Sequence, residues 1–206
     1  MIDTKIRPLV QTLFNDMGRW LVKTKIQPNQ ISIGAFVAGL FSAGFIAFGQ
    51  VFSAIALLWV SGLLDVLDGT VARLSGKASR YGAYMDLIFD RLVESSFVFG
   101  FAIWHNQHHW VFYLFFIGVI FNFSTFMVAG ALFQNKSDKS IYYDFGLVER
   151  TETFITFTLM ALFAQVAVYI LMVFNLLMFL TGIVRFYRIY QQGSWVQRVF
   201  ETPPEP

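Results

Sequence analysis

Residues 65–90 read DVLDGTVARLSGKASRYGAYMDLIFD, and long apolar runs flank them on both sides. Four carboxylates fall inside this stretch: Asp65, Asp68, Asp86 and Asp90. The chain has 206 residues, 56% of them hydrophobic and 14% charged, with 25 phenylalanines. A soluble domain carries roughly 25% charged residues. The composition therefore describes an all-α, polytopic membrane protein with a single domain. In such a chain each carboxylate at or within the bilayer costs at least ~2.5 kcal/mol. Four together call for a compensating chemistry, and metal binding linked to phosphoryl-type chemistry supplies it.

Working outward, Val51 to Leu74 and Tyr81 to Trp104 read as two spans joined by the short basic loop Ser75–Arg80. Before them, Ile31 to Phe48 is a span rich in glycine and alanine, as close-packed membrane helices are. Pro28-Asn29 punctuates the chain ahead of it. Residues 1–26 place Ile2, Ile6, Leu9, Leu13, Met17 and Trp20 at helical spacing beside Lys5, Arg7, Arg19, Lys23 and Lys25. That pattern suits an amphipathic helix lying in the membrane interface. No cleavable signal peptide is expected, because no short apolar core and small-residue cleavage site opens the chain.

After the stretch, Trp110 to Phe133 is a fourth span and Gln134 to Arg150 the longest polar connection. Thr151–Phe163 and Val166–Tyr187, separated by a break near Gln165, read as spans five and six. The fifth is short of the ~20 residues a crossing needs, so it must borrow from its flanks. The expected organisation is one membrane domain, 1–190: an interfacial helix over 1–26, a six-helix bundle over 28–190, and a polar, disordered tail over 191–206. With no cysteines, thiolate and disulfide chemistry are excluded. The net charge of +2 points to no nucleic-acid partner.

The cations test this topology. Five precede the first span; Arg73, Lys77 and Arg80 surround the second connection; Lys136, Lys139 and Arg150 fall in the fourth; Arg185, Arg188 and Arg198 lie at the C-terminal end. Only Arg91 stands apart. By the positive-inside rule both termini and the even connections are cytoplasmic, and so is the carboxylate stretch.

Asp65 and Asp68 are three residues apart, and Asp86 and Asp90 four, so each pair shares a helix face. The two spans form a hairpin in which the pairs face each other. Convergent carboxylates suit Mg²⁺ or a similar hard cation, and four could hold two ions that clamp phosphate oxygens. Gly69 and Gly82 let a ligand or neighbouring backbone come close, Ala72 is small and shares the face of Asp68, and Arg73 can bind phosphate. The plainer alternative is that the carboxylates pair with Arg73, Lys77 and Arg91 to hold helix ends. A rival function, a cation transporter or channel using the aspartates as a permeation site, predicts carboxylates near the bilayer midplane and broken helices. Here they cluster at one end, beside a basic loop.

Asp65, Asp68, Gly69, Ala72, Arg73, then Gly82, Asp86 and Asp90 form D-x-x-D-G-x-x-A-R, eight residues, G-x-x-x-D-x-x-x-D. This pattern resembles that of the CDP-alcohol phosphatidyltransferases. The resemblance implies transfer of a phosphatidyl group from a CDP-linked lipid (CDP-diacylglycerol) to an alcohol, with release of CMP, in phospholipid biosynthesis. It implies Mg²⁺ or Mn²⁺, two ions, held by Asp65, Asp68, Asp86 and Asp90, with Asp90 also the general base. Asp68, Gly69, Ala72, Arg73 and Gly82 would line the CDP site. Asn29, in a Pro-Asn-x-x-Ser segment similar to one of that family, joins them. A homodimer in a bacterial inner (plasma) membrane is implied in the same way.

For the acceptor, Lys139, Arg150 and Arg185 are cations expected on the cytoplasmic side, suited to a phosphorylated alcohol such as inositol phosphate or glycerol phosphate. Residues 146–150 resemble the start of span five in the phosphatidylinositol-phosphate synthase branch, where a second arginine follows three residues later. Here that position is Thr153. The plainer reading of these cations is topology and binding of anionic headgroups. Tyr142-Tyr143 suit the interfacial aromatic belt, and His105, His108 and His109 a solvated turn far from the aspartates.

Overall fold

The computed structural model describes residues 2–24, 26–106, 108–132 and 150–201, with side chains described between 11 and 191 in those ranges. All regular structure among the described residues is helical: α1 (Ile2–Lys23), α2 (Pro28–Ala47), α3 (Val51–Leu74), α4 (Arg80–Trp104), α5 (His109–Leu132), α6 (Arg150–Leu162) and α7 (Ala167–Glu201). A single 3-10 turn, Ala164–Val166, joins α6 to α7. Pro28 does not stand outside α2 but opens it, at the position where a missing amide proton costs nothing. Gln30 Oε1 caps this end by accepting from the Gln27 amide at 3.0 Å. Gly49 turns the chain into α3 with φ of +72°, a conformation that favours glycine.

Among the described residues, four helical segments are long and apolar enough to cross a membrane: Pro28–Ala47, Val51–Leu74, His109–Ala131 and Ala164–Gln191. The protein is an integral membrane protein. Helix α4 is long enough at 25 residues. It is less apolar because Arg80, Asp86, Asp90, Arg91 and Glu94 fill its first half. Helix α6 has 13 residues, about 20 Å at 1.5 Å per residue, shorter than the ~30 Å hydrocarbon core. The expected tail from Gln191 is corrected: α7 continues without interruption to Glu201.

Helix α2 is the post on which the site is built. Both α3 and α4 pack on it, and they scarcely touch each other, so the expected hairpin is splayed around α2 rather than closed on itself. Small residues make this possible. A methyl at Gly100 of α4 would lie 2.2 Å from the Ala43 carbonyl oxygen of α2. Ser42 Oγ donates to the Ala54 carbonyl at 2.6 Å, and Ser61 Oγ to the Ala35 carbonyl at 2.7 Å. Close backbone approach with interhelical hydrogen bonds is how membrane helices associate without a hydrophobic drive between them.

Helices α5, α6 and α7 meet through rings. Phe97 of α4 stacks on Phe157 of α6 at 5.1 Å, and Phe157 also meets Phe115 of α5 and Phe174 of α7. All four are buried. Asn175 Nδ2 ties α7 to the Val111 carbonyl of α5 at 3.0 Å. Helix α1 lies against α3, with Gly18 on Thr70 and Leu74. Its Leu13 and Trp20 are exposed.

Candidate active site

The carboxylates come from two helices that both pack on a third: a methyl at Gly39 of α2 would meet Ser61 of α3 and Val93 of α4 alike. Asp65 and Asp68 sit one turn apart near the end of α3, and Asp86 and Asp90 one turn apart near the start of α4. The backbones of α3 and α4 scarcely approach each other, and the carboxylate side chains converge between them. One ligand oxygen from each of Asp65, Asp68 and Asp86 lies within 4.8 Å of the others. Asp68 is buried, and its Oδ2 has no hydrogen-bond partner among the described residues. A buried acceptor left unpaired costs about 1–3 kcal/mol, and a cation at the carboxylate cluster removes that cost. The donor set is all carboxylate oxygen, at a spacing that one hard divalent cation can bridge. The residues present fit such an ion.

Asp90 joins the cluster through Arg150. One guanidinium nitrogen, Nη1, contacts both Asp65 Oδ2 and Asp90 Oδ1. Arg150 is the first residue of α6, where the helix dipole disfavours a cation. The two carboxylates outweigh that, and the Phe154 ring supports the guanidinium at 5.5 Å. The plainer alternative, in which Arg73 and Arg91 pair with the aspartates, is not what the described residues do. Arg91 makes a two-pronged pair with Glu94, at 2.9 and 2.8 Å, and Arg73 donates to Thr70 Oγ1 at 3.2 Å. Glu94, buried one turn below Asp90, is a fifth carboxylate that sequence reasoning did not assign to the site. Its signal was there in the three-residue spacing to Arg91, the one cation outside the topological sorting.

The residues expected around the nucleotide fall into two groups. A methyl at Gly82 would lie 3.6 Å from Asn29 Oδ1 and 3.3 Å from Ser79 Oγ, so the N-terminal ends of α2 and α4 meet there. Ser79 caps α4 by accepting from the Gly82 amide at 3.0 Å. On α3, Arg73 folds back over Gly69, where an added methyl would meet its guanidinium at 3.3 Å. Ala72 is half-buried beside them.

Of the residues expected at the acceptor, Arg150 stands on the aspartates. Arg185 is buried in α7 and held by α5. Its Nη1 donates to Asn122 O at 2.9 Å and Asn122 Oδ1 at 2.8 Å, and its guanidinium lies 5.3 Å from the Phe126 ring centre. Lys139, Tyr142 and Tyr143 lie outside the described residues. His105, His108 and His109 sit between α4 and α5, at the opposite end of α4 from Asp86, with His109 Nε2 bonded to Asn106 Oδ1 at 2.8 Å.

Residues 25–186 match a family model described as CDP-alcohol phosphatidyltransferase. The archaetidylinositol phosphate synthase of Pyrococcus horikoshii is 32% identical over 86% of this chain and 92% of its own. The inner membrane protein YnjF of Escherichia coli is 28% identical over 96% of this chain and all of its own. Among solved structures, the Mycobacterium tuberculosis phosphatidylinositol phosphate synthase with CDP-DAG bound superposes with a TM-score of 0.71 at 20% identity. That match covers 85% of this chain and 92% of the other. The same synthase has been solved in complex with manganese and citrate.

Proposed function

The chain belongs to the CDP-alcohol phosphatidyltransferase family, and from that premise we propose that it transfers a phosphatidyl group from CDP-diacylglycerol to a phosphorylated alcohol, releasing CMP. The observation that carries this reading is the convergence of Asp65, Asp68 and Asp86, with Asp90 joined to them through Arg150. In this reading α4 and α6 complete six spans, α1 lies in the interface, and the aspartates and both termini are cytoplasmic. The domain is 1–190 and the protein a homodimer of an inner (plasma) membrane.

Asp65, Asp68, Asp86 and Asp90 hold two Mg²⁺ or Mn²⁺ ions. Bound there, the ions offset the charge of the donor diphosphate and of the departing CMP. Asp90 takes the proton from the acceptor hydroxyl, in the manner of a general base. Asn29 and Gly82 lie at one side of the nucleotide, and Asp68, Gly69, Ala72 and Arg73 at the other. The absence of side chains on the glycines lets phosphate and ribose approach the backbone. Arg73, exposed at the end of α3, reaches a phosphate with a planar fork of donors.

Lys139, Arg150 and Arg185 hold the acceptor phosphate. Inositol phosphate is the acceptor most in keeping with the names of the relatives. Arg185 supports this role because its burial and its hydrogen bonds to α5 fix the guanidinium in place. A pre-positioned fork loses little entropy on binding phosphate.

The test is purified protein with labelled CDP-diacylglycerol, Mg²⁺ and a panel of acceptors: inositol phosphate, glycerol phosphate, inositol, glycerol and serine. CMP release that needs both Mg²⁺ and inositol phosphate supports the reading in full. Release with another acceptor moves the substrate and keeps the reaction. No metal-dependent release with any acceptor overturns it.

A further inference from the structure

Arg150 has two faces in this site. It belongs to the cations expected at the acceptor, yet its Nη1 stands against Asp65 Oδ2 and Asp90 Oδ1. Those carboxylates come from α3 and α4, which scarcely touch each other. The guanidinium is therefore a clamp across the gap, supplied by α6. Its Nε is buried with no hydrogen-bond partner among the described residues. The seat satisfies only part of the five-donor fork, so the group is held chiefly by charge.

Resting on the reading that the aspartates take a divalent cation, we infer that Arg150 and the divalent cation are rival counter-ions for Asp65 and Asp90, and that metal binding releases the guanidinium to the acceptor's phosphate. Asp65 is shared between the two arrangements: one of its oxygens belongs to the three-carboxylate cluster, and Oδ2 meets Arg150. A divalent ion in that cluster stands a few ångströms from a guanidinium held on the same carboxylate. The two positive charges repel there, and each lowers the affinity of the aspartates for the other. Such a coupling is reciprocal, so an anion that draws Arg150 away strengthens metal binding by the same factor. The consequence is an order of assembly. Metal sets Asp90 free of its ion pair, and an anionic acceptor then finds an arginine released beside the base. Arg150 is thus a positioning residue for Asp90 and a specificity device for anionic acceptors.

The experiment is a Mn²⁺ titration of the detergent-solubilised full chain, read by the loss of the free-ion electron paramagnetic resonance signal. Wild type is compared with Arg150→Gln and Arg150→Lys, and Asp68→Asn reports binding outside the site. Arg150→Gln is expected to bind Mn²⁺ about tenfold more tightly, within the range of typical couplings between sites. Arg150→Lys keeps the charge on a more strongly hydrated, shorter head, so its affinity should fall between the two. It also supplies the answer if Arg150→Gln does not fold. A residue that only braces the helices would weaken metal binding when removed, so tightening separates the two roles. Unchanged or weaker Mn²⁺ affinity in the folded variants, with Mg²⁺-dependent CMP release intact in wild type, overturns this inference alone. Failure of wild type to bind Mn²⁺ at all overturns it together with the proposed function.

Discussion

Helices α3 and α4 approach α2 through glycine, alanine and serine, while α4, α5, α6 and α7 meet through four phenylalanine rings. In the first region the backbones are close, as Gly100 against the Ala43 carbonyl shows, and hydroxyls bond across helices at 2.6 and 2.7 Å. In the second, one buried ring from each helix fills the space between axes. The difference follows from what each region carries. The proposed metal site needs its carboxylates held closely in place, and short side chains on a close backbone have few rotamers to lose. The aromatic region has only to stay packed, and large rings give contact area wherever they meet.

If the two regions divide their labour in this way, changes in one should alter chemistry and changes in the other stability. The largest effect is expected from Asp90→Asn, which removes the proposed base. CMP release per folded molecule should fall about 10²–10⁴-fold, the usual worth of general base catalysis, in a protein that keeps the Arg150–Asp65 pair and still folds. Loss of the folded state itself would break the division.

Phe157→Ala removes the ring at the centre of the aromatic cluster. A loss of about 3–5 kcal/mol is expected from the cavity left behind. Turnover per folded molecule should stay near that of wild type, measured by normalising CMP release to the folded fraction. Gly100→Ala tests the close-packed region. The added methyl meets a backbone oxygen rather than a flexible side chain, so α2 and α4 must separate, at a cost of about 1–3 kcal/mol. Because α4 carries Asp86 and Asp90, activity should fall with it, which sharpens the contrast with Phe157. The smallest effect is expected at Trp59→Phe, which removes an interhelical bond from Trp59 Nε1 to Thr158 Oγ1 at 3.1 Å. Bonds of this kind in membrane helices average about 0.6 kcal/mol, so unfolding in graded denaturant should barely shift.

Several features were legible in the residue order. The bounds of α2 to α5 lie within three residues of the runs read as spans, because a membrane-crossing helix is a long apolar run and polar or turn-forming residues mark its ends. The break near Gln165 is the 3-10 turn Ala164–Val166. The four aspartates were found because a charge in an apolar chain is costly and two pairs at helical spacing are a strong signal. The polar tail from Gln191 reads as disordered, yet α7 runs on to Glu201, because polarity marks the end of an apolar span and not the end of a helix. Helical hydrogen bonding runs on along the chain itself.

By itself, then, the sequence determined an apolar helical chain with a carboxylate motif at the ends of two neighbouring helices. These properties are local: hydropathy, periodicity and spacing along one helix face. Only the tertiary structure decided that α3 and α4 both pack on α2, that Glu94 is paired with Arg91, and that Arg150 spans Asp65 and Asp90. Arg150 is 85 residues from Asp65. No spacing rule reaches that far, and which cation meets which carboxylate depends on how helices pack.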